Sequence, residues 1–177
     1  MIKKLLLALA VAVLGFAAYV AMLPSEFKVT RSGKIGAAPD KVFALVNDLH
    51  KWNDWSPWAK LDPNAKNGFE GPDAGVGASF NWDGNDEVGA GKMSIVESKP
   101  SEHVRMKLEF SRPMQGTNDT EFTFKPDNAG GTLVTWTNSG HNDFIGRAVC
   151  LFMDMDKMIG GMFEKGFANM NEVVAKG

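Results

Sequence analysis

The strongest constraint on this chain is an apolar stripe near its C-terminal end. Between Met155 and Ala175, apolar residues recur as Met155, Met158, Ile159, Met162, Phe163, Phe167, Met170, Val173 and Val174. Spacings of three and four put them on one side of an α-helix and leave the other side polar. Asp154 and Asp156 place negative charge where a helix N-terminus favours it, and Lys176 with Gly177 supplies a stop. At about 1.5–3 kcal/mol for each buried side chain, such a helix requires a large apolar partner surface. Its methionines fill irregular space, and Gly160-Gly161 leaves room beside the backbone, which suits a helix lying over a cavity. A stripe of this kind is also, and more often, ordinary core.

The partner must come from the middle of the chain. Phe27 to Ile35 alternates loosely and ends at Gly36, reading as a first strand. Ala38-Pro39-Asp40 then opens a helix carrying Val42, Phe43, Leu45, Val46 and Leu49, with proline at a permitted early position. Trp52, Trp55 and Trp58 recur at a spacing of three and form one apolar edge, either a plug closing one end of a sheet or a surface on which a ligand stacks.

Turn chemistry at Asp62-Pro63-Asn64-Ala65 and Gly71-Pro72-Asp73-Ala74-Gly75 precedes a succession of strands. In these, Ala78, Phe80 and Trp82 share one face; so do Met93 and Ile95, then Val104, Met106, Leu108 and Phe110, then Thr120, Phe122 and Phe124, and finally Thr132, Val134 and Trp136. The connections between them are hairpin-like. Strand, short helices, antiparallel strands and one long helix make an α+β chain in which a curved sheet wraps the C-terminal helix, the one remaining element able to cover its apolar face. Residues 144–153 are too apolar for a free loop; they form either a gate over a cavity mouth or a short helix packed on the same core.

The chain resembles the START-like, Bet v 1-like superfamily, in particular the bacterial polyketide cyclase/dehydrase-like SRPBCC proteins. The resemblance is carried in order by Ala38-Pro39-Asp40-Lys41-Val42-Phe43-Ala44-Leu45-Val46-Asn47-Asp48, by Trp52-Asn53-Asp54-Trp55-Ser56-Pro57-Trp58, by Gly131-Thr132-Leu133-Val134-Thr135-Trp136, and by Phe163-Glu164-Lys165-Gly166-Phe167-Ala168-Asn169-Met170. It implies a helix-grip fold whose sheet and C-terminal helix enclose a pocket for an apolar small molecule. No single activity is implied, because a shared fold leaves the chemistry to the site.

Ahead of that domain, Leu5 to Leu23 runs 19 residues without a charge, after Lys3-Lys4 and before Pro24. A helix of that length is roughly 28 Å long, close to the hydrocarbon thickness of a bilayer. A cleaved signal peptide is the rival reading, but its apolar region ordinarily runs about 7–15 residues, and Gly15-Phe16-Ala17 is the best cleavage site on offer. Residues 1–24 are therefore expected to be an uncleaved membrane anchor. Residues 25–177 then lie on the exported, periplasmic side, since the positive flank stays in the cytoplasm.

Charge excludes one class of partner. The net charge of −2 becomes −4 when Lys3 and Lys4 are set aside, leaving 17 basic against 21 acidic residues, the opposite of a nucleic-acid binder's footprint. The single cysteine, Cys150, permits neither an internal disulfide nor a cysteine metal cluster. His50, His103 and His141 show no metal-ligand spacing, and Gly89-Ala90-Gly91-Lys92 lacks the rest of a phosphate loop, so neither metal nor cofactor is expected. Of the carboxylates, Glu97 alone shares the inward parity of Met93 and Ile95.

The inward set predicted to line a ligand pocket is Phe80, Trp82, Met106, Leu108, Phe110, Phe122, Phe124 and Trp136 from the sheet, facing Met158, Met162 and Met170 from the helix. The sequence thus reads first as a membrane-anchored binding module for an apolar or lipid-like molecule in the cell envelope, with no catalytic residues. A cyclase- or dehydratase-like enzyme and an envelope interaction domain without ligand are the alternatives.

Overall fold

Alternating apolar residues in the middle of the chain build one antiparallel sheet in the computed structural model, which describes residues 1–176. Its strands are β1 (Glu26–Ile35), β2 (Lys66–Glu70), β3 (Ser79–Asp83), β4 (Ala90–Lys99), β5 (His103–Arg112), β6 (Gly116–Pro126) and β7 (Thr132–His141). The spatial order is β1-β7-β6-β5-β4-β3-β2, so β2 to β7 form a meander and β1 closes it by pairing along β7, from Glu26 opposite His141 to Ile35 opposite Thr132. The chain passes from β1 to the far edge through α2 (Pro39–Asn47) and α3 (Trp52–Trp55). After β7 come a short α4 (Phe144–Val149) and the long α5 (Met155–Lys176), while α1 (Ile2–Met22) precedes the sheet. The fold is α+β and helix-grip, as read from the sequence.

Local chemistry accounts for the turns and caps. Between β6 and β7, Asp127 Oδ1 accepts from the backbone N–H of Ala129 at 2.9 Å and of Gly131 at 2.7 Å, an Asx-type turn. At α5, Asp154 Oδ1 accepts from Lys157 N at 2.9 Å, the N-cap that the two early aspartates anticipated. The stop assigned to Gly177 lies outside the described residues.

Two local readings need correction. Strand β2 has no sequence alternation to reveal it, because Lys66-Asn67-Gly68-Phe69-Glu70 carries one large apolar side chain and occupies a sheet edge. Glu97 points outward rather than inward: the β4–β5 register shifts between Ile95 and Glu97, and one extra residue reverses the facing of all that follow. It ends opposite Arg105 and pairs with it, and the Arg105 guanidinium holds the Glu97 carboxyl below the usual carboxylate range.

Helix α5 is gripped by close contacts that depend on missing side chains. A Cβ on Gly33 of β1 would lie 2.5 Å from the Phe167 ring and 2.8 Å from Phe167 Cβ. A Cβ on Gly166 would lie 2.8 Å from Trp136 Cζ3, and one on Gly160 would run into the Arg31 guanidinium. Arg31 reaches from β1 over Gly160 to the first turns of α5, donating to Asp156 Oδ2 at 2.7 Å and to the Asp156 carbonyl at 3.1 Å, with Glu164 at 3.4 Å. Sheet and helix are thus bolted together at both ends of their contact.

The inward face of the sheet divides along the strands. At one end Ile35, Val104, Met106, Phe122, Phe124 and Val134 are at most 3% exposed and pack with Val42, Val46 and Leu49 under Phe167 and Met170 of α5. At the other end, Phe27, Leu108, Phe110 and Asn118 lie against open space.

Two expectations follow. Gly33→Ala should destabilise by about 1–3 kcal/mol in urea unfolding, because the added methyl meets Phe167 at its Cβ as well as its ring and not at the far end of a flexible chain, whereas Gly161→Ala, with nothing within 4 Å of the added methyl, should be neutral or gain up to ~1 kcal/mol of helix propensity. Equal effects would contradict the close packing at Gly33. The Arg31 hydrogen bond and charge hold the Asp156 carboxyl below its ordinary range. Its contribution is therefore complete above the range of an unfolded carboxyl and is lost as pH falls through the lowered value. The difference in thermal midpoint between parent and Asp156→Asn, small because the pair is solvated, should be largest near neutrality and shrink as pH falls below the ordinary carboxylate range. A pH-independent difference would rule out this linkage.

Candidate functional site

The open space beneath the first half of α5 is a cavity of about 930 Å³. Its apolar walls come from Phe27 and Val29 of β1, Phe80 and Trp82 of β3, Leu108 and Phe110 of β5 and Trp136 of β7. Met155, Ile159 and Phe163, four residues apart on α5, form the roof, and Trp52 and Trp58 close one side. The mouth runs between residues 142–150, the turn after Asp62, and the β3–β4 and β5–β6 connections. This volume lies at the upper end of the ~300–1,000 Å³ usual for small-molecule sites.

Of the side chains singled out from the sequence, the structure brings Phe80, Trp82, Leu108, Phe110 and Trp136 to the cavity wall. Met106, Phe122, Phe124 and Met170 sit instead in the closed half of the core, each at most 3% exposed. Inward parity puts a residue on the right face of a strand but does not say how far along the strand the cavity extends. Met158 and Met162 stand away from the wall, and Met158 is 48% exposed. At roughly 100° per residue, the roof set by Met155, Ile159 and Phe163 leaves Met158 and Met162 about 60–100° round the helix.

Trp136 divides filled core from cavity. Its ring stacks on Phe163 at 4.1 Å between centroids and 10° between planes, and it meets Trp52, Trp55 and Trp58 edge-on at 6.1, 5.5 and 5.7 Å. The tryptophan edge noted in the sequence therefore does two things. Trp55 is wholly buried, its indole N–H donating to the Leu45 carbonyl at 2.9 Å, while Trp52 and Trp58 face the cavity.

Polar groups are sorted by depth. Lys28, Asp86, Glu87, Arg112, His141, Asp143 and Asp156 border the cavity but are exposed along its rim or held by solvated partners, such as Arg31 for Asp156. Asp62 is half-buried and committed to its turn, accepting from Asn64 N and Asn85 N. His141 reaches Glu26 at 3.6 Å on the surface, and His103 lies on the outer face, 2.9 Å from Glu121. Among the described residues, no three of His, Cys, Asp and Glu stand together in a way that could hold a metal.

Deeper in, Thr120 Oγ1, Asn138 Oδ1 and Trp136 Nε1 are buried without a hydrogen-bond partner, and all three residues line the cavity. Asn138 lies beyond Trp136, the last residue that the alternating apolar pattern of β7 supplies. Continuing the same parity by two residues reaches it, an amide on an apolar face.

Set against known proteins, residues 26–175 match the family described as polyketide cyclase/dehydrase and lipid transport. No curated protein matches in sequence. Among solved structures, protein CV1439 from Chromobacterium violaceum superimposes with a TM-score of 0.56 at 18% identity, over 86% of this chain and 98% of that one. Mll3558 from Rhizobium loti gives 0.60 at 17% identity, over 81% and 96%. Ara h 8.0201 gives 0.54 at 10% identity, over 82% and 97%. These likenesses show the fold. The neighbours are matched almost end to end, so a domain of this extent forms their whole chain. Together with the family match over nearly all of the sheet and α5, they establish that this chain belongs to the polyketide cyclase/dehydrase and lipid transport family, with a Bet v 1-like fold.

Proposed function

We propose that the protein is a membrane-tethered binding module that holds one apolar small molecule between its sheet and α5. The observation that carries this reading is the cavity: about 930 Å³ walled by aromatic and aliphatic side chains, with its titratable neighbours at the rim or tied into turns. Burial of apolar surface drives a hydrophobic ligand into such a space. General acid–base catalysis needs a titratable group within hydrogen-bond reach of the substrate; those bordering this cavity sit at its rim or are committed to turns and ion pairs, and the deep polar groups are a hydroxyl, an amide and an indole N–H. Binding is thus favoured over cyclase or dehydratase chemistry.

The tether reading draws support from the join between α1 and the domain. Helix α1 is 21 residues long and exposed along nearly its whole length, Val20 being its one buried residue. Its C-terminal carbonyls lack intrahelical partners, as at every helix end. Arg147 of α4 donates to those of Ala21 at 3.0 Å and Leu23 at 3.3 Å, with its positive charge at the negative end of the helix dipole. Gly146 and Cys150 flank that arginine and border the cavity mouth, and Phe144, Ile145, Phe152 and Met153 beside it are 44–80% exposed. With α1 spanning the bilayer, this apolar rim lies at the membrane surface on the exported side, where a ligand moves between lipid and cavity without crossing water.

Bulk placed in an open cavity fills it, and bulk placed in a packed core strains it. Leu108→Trp should abolish binding of a fluorescent apolar probe such as pyrene while costing less than ~1 kcal/mol, whereas Met106→Trp, two residues along the same strand in the closed core, should cost ~1–3 kcal/mol or more. Equal destabilisation, with no pyrene bound by the parent, would remove the pocket. Fractionation tests the tether: full-length protein should stay with membranes through a high-salt wash and residues 25–177 should be soluble. A mature N-terminus near Ala18 would overturn the anchor.

A further inference from the structure

Three polar atoms in an apolar cavity carry information about what the cavity holds. Thr120, Trp136 and Asn138 are 1%, 2% and 8% exposed, and Thr120 Oγ1, Trp136 Nε1 and Asn138 Oδ1 have no partner within the protein. Register places them in one patch. Thr120 and Asn138 are directly opposite across β6 and β7, so their Cβ atoms are roughly 5 Å apart, and Trp136 precedes Asn138 by two residues on the same face. The benzo edge of Trp136 is turned to Gly166, so its N–H edge is the one left for other company.

Such groups are expensive to leave unmade. A buried donor or acceptor without a partner forfeits its full hydration, and these three are already shut off from water, so a hydrocarbon ligand leaves all three stranded while a ligand that bonds them recovers part of that cost. A ligand that belongs here must therefore both donate and accept. Asn138 Oδ1 accepts, Trp136 Nε1–H donates, and the Thr120 hydroxyl does either. A carboxylate has nothing to give Asn138 Oδ1, and none of the three residues carries a positive charge to offset its desolvation. The smallest neutral group that gives one hydrogen bond and takes another is a hydroxyl.

We infer that the cavity selects a neutral, largely apolar molecule carrying a hydroxyl group, seated at Thr120, Trp136 and Asn138 with its hydrocarbon body under Ile159 and Phe163. This rests on the binding reading above and adds to it the class of ligand and the residues that choose it. In this role the three are specificity-determining residues, with no chemical step assigned to them.

The test is displacement of pyrene by dodecanol, dodecane and dodecanoate. It is run on the full chain in phosphatidylcholine nanodiscs and on residues 25–177, which hold the sheet, α5 and the core cluster between them. For the parent, dodecanol should bind more tightly than dodecanoate. Replacing Thr120→Val together with Asn138→Leu, which keep shape and remove the polar atoms, should weaken dodecanol about tenfold, the equivalent of about 1.4 kcal/mol, and leave dodecane and pyrene unchanged or tighter. The ligand-free variant should melt no lower than the parent, since apolar isosteres remove unpartnered groups. Thr120→Ser, which keeps the hydroxyl, should keep the preference for the alcohol. If pyrene binds but the double variant treats dodecanol and dodecane as the parent does, the hydroxyl inference is overturned and the binding reading stands. If pyrene fails to bind the parent at all, the binding reading falls and the inference with it.

Discussion

The stack of Trp136 on Phe163 is the contact from which the rest of the architecture follows. Helix α5 comes close enough to the sheet to make it because Gly166 has no side chain to meet the indole, and Gly33 leaves space for Phe167 one turn further on. On one side of that stack the sheet and helix close completely, over Phe122, Phe124, Met106 and Met170. On the other side they cannot close. Arg31 pins the start of α5 through Asp156 and Glu164 while the sheet curves away beneath it, and the gap is the cavity. A single aromatic pair thus separates the half of the domain that supplies stability from the half that supplies space.

That division explains how much of the site was legible beforehand. Fold class, the gripping helix and the inward faces of the strands follow from periods of 3.6 and 2, and the ordered motifs from Ala38-Pro39-Asp40 to Phe163–Met170 add the superfamily. Depth along a strand is a different quantity. Leu108 and Met106 have the same parity and chemistry, yet one faces the cavity and the other the packed core. Only the height at which Trp136 meets α5 decides between them. The methionines illustrate the same point on a helix, where Ile159 roofs the cavity and Met158, next to it in sequence, faces outward. Glu97 failed for a local reason, a bulge of one residue that no pattern in Ile95-Val96-Glu97 announces.

The pocket's polar groups are sorted by depth. Charged groups sit in water at the rim or are tied to partners there, as Arg31 is to Asp156, and the buried wall keeps an alcohol, an amide and an indole N–H. Low dielectric makes each of those three interactions stronger when satisfied and costlier when not. Arg147 adds a mechanical link by tying the mouth to the end of an apolar helix through the carbonyls of Ala21 and Leu23.

Because Trp52, Trp58, Trp82 and Trp136 all line the cavity, the protein's own fluorescence reports directly on what enters it. Titration of residues 25–177 with a long-chain alcohol should shift tryptophan emission to shorter wavelength and saturate at one ligand per chain, as water leaves the indoles. An emission spectrum that stays fixed, or drifts in proportion to added alcohol without saturating, would show that the space between sheet and helix does not hold a ligand.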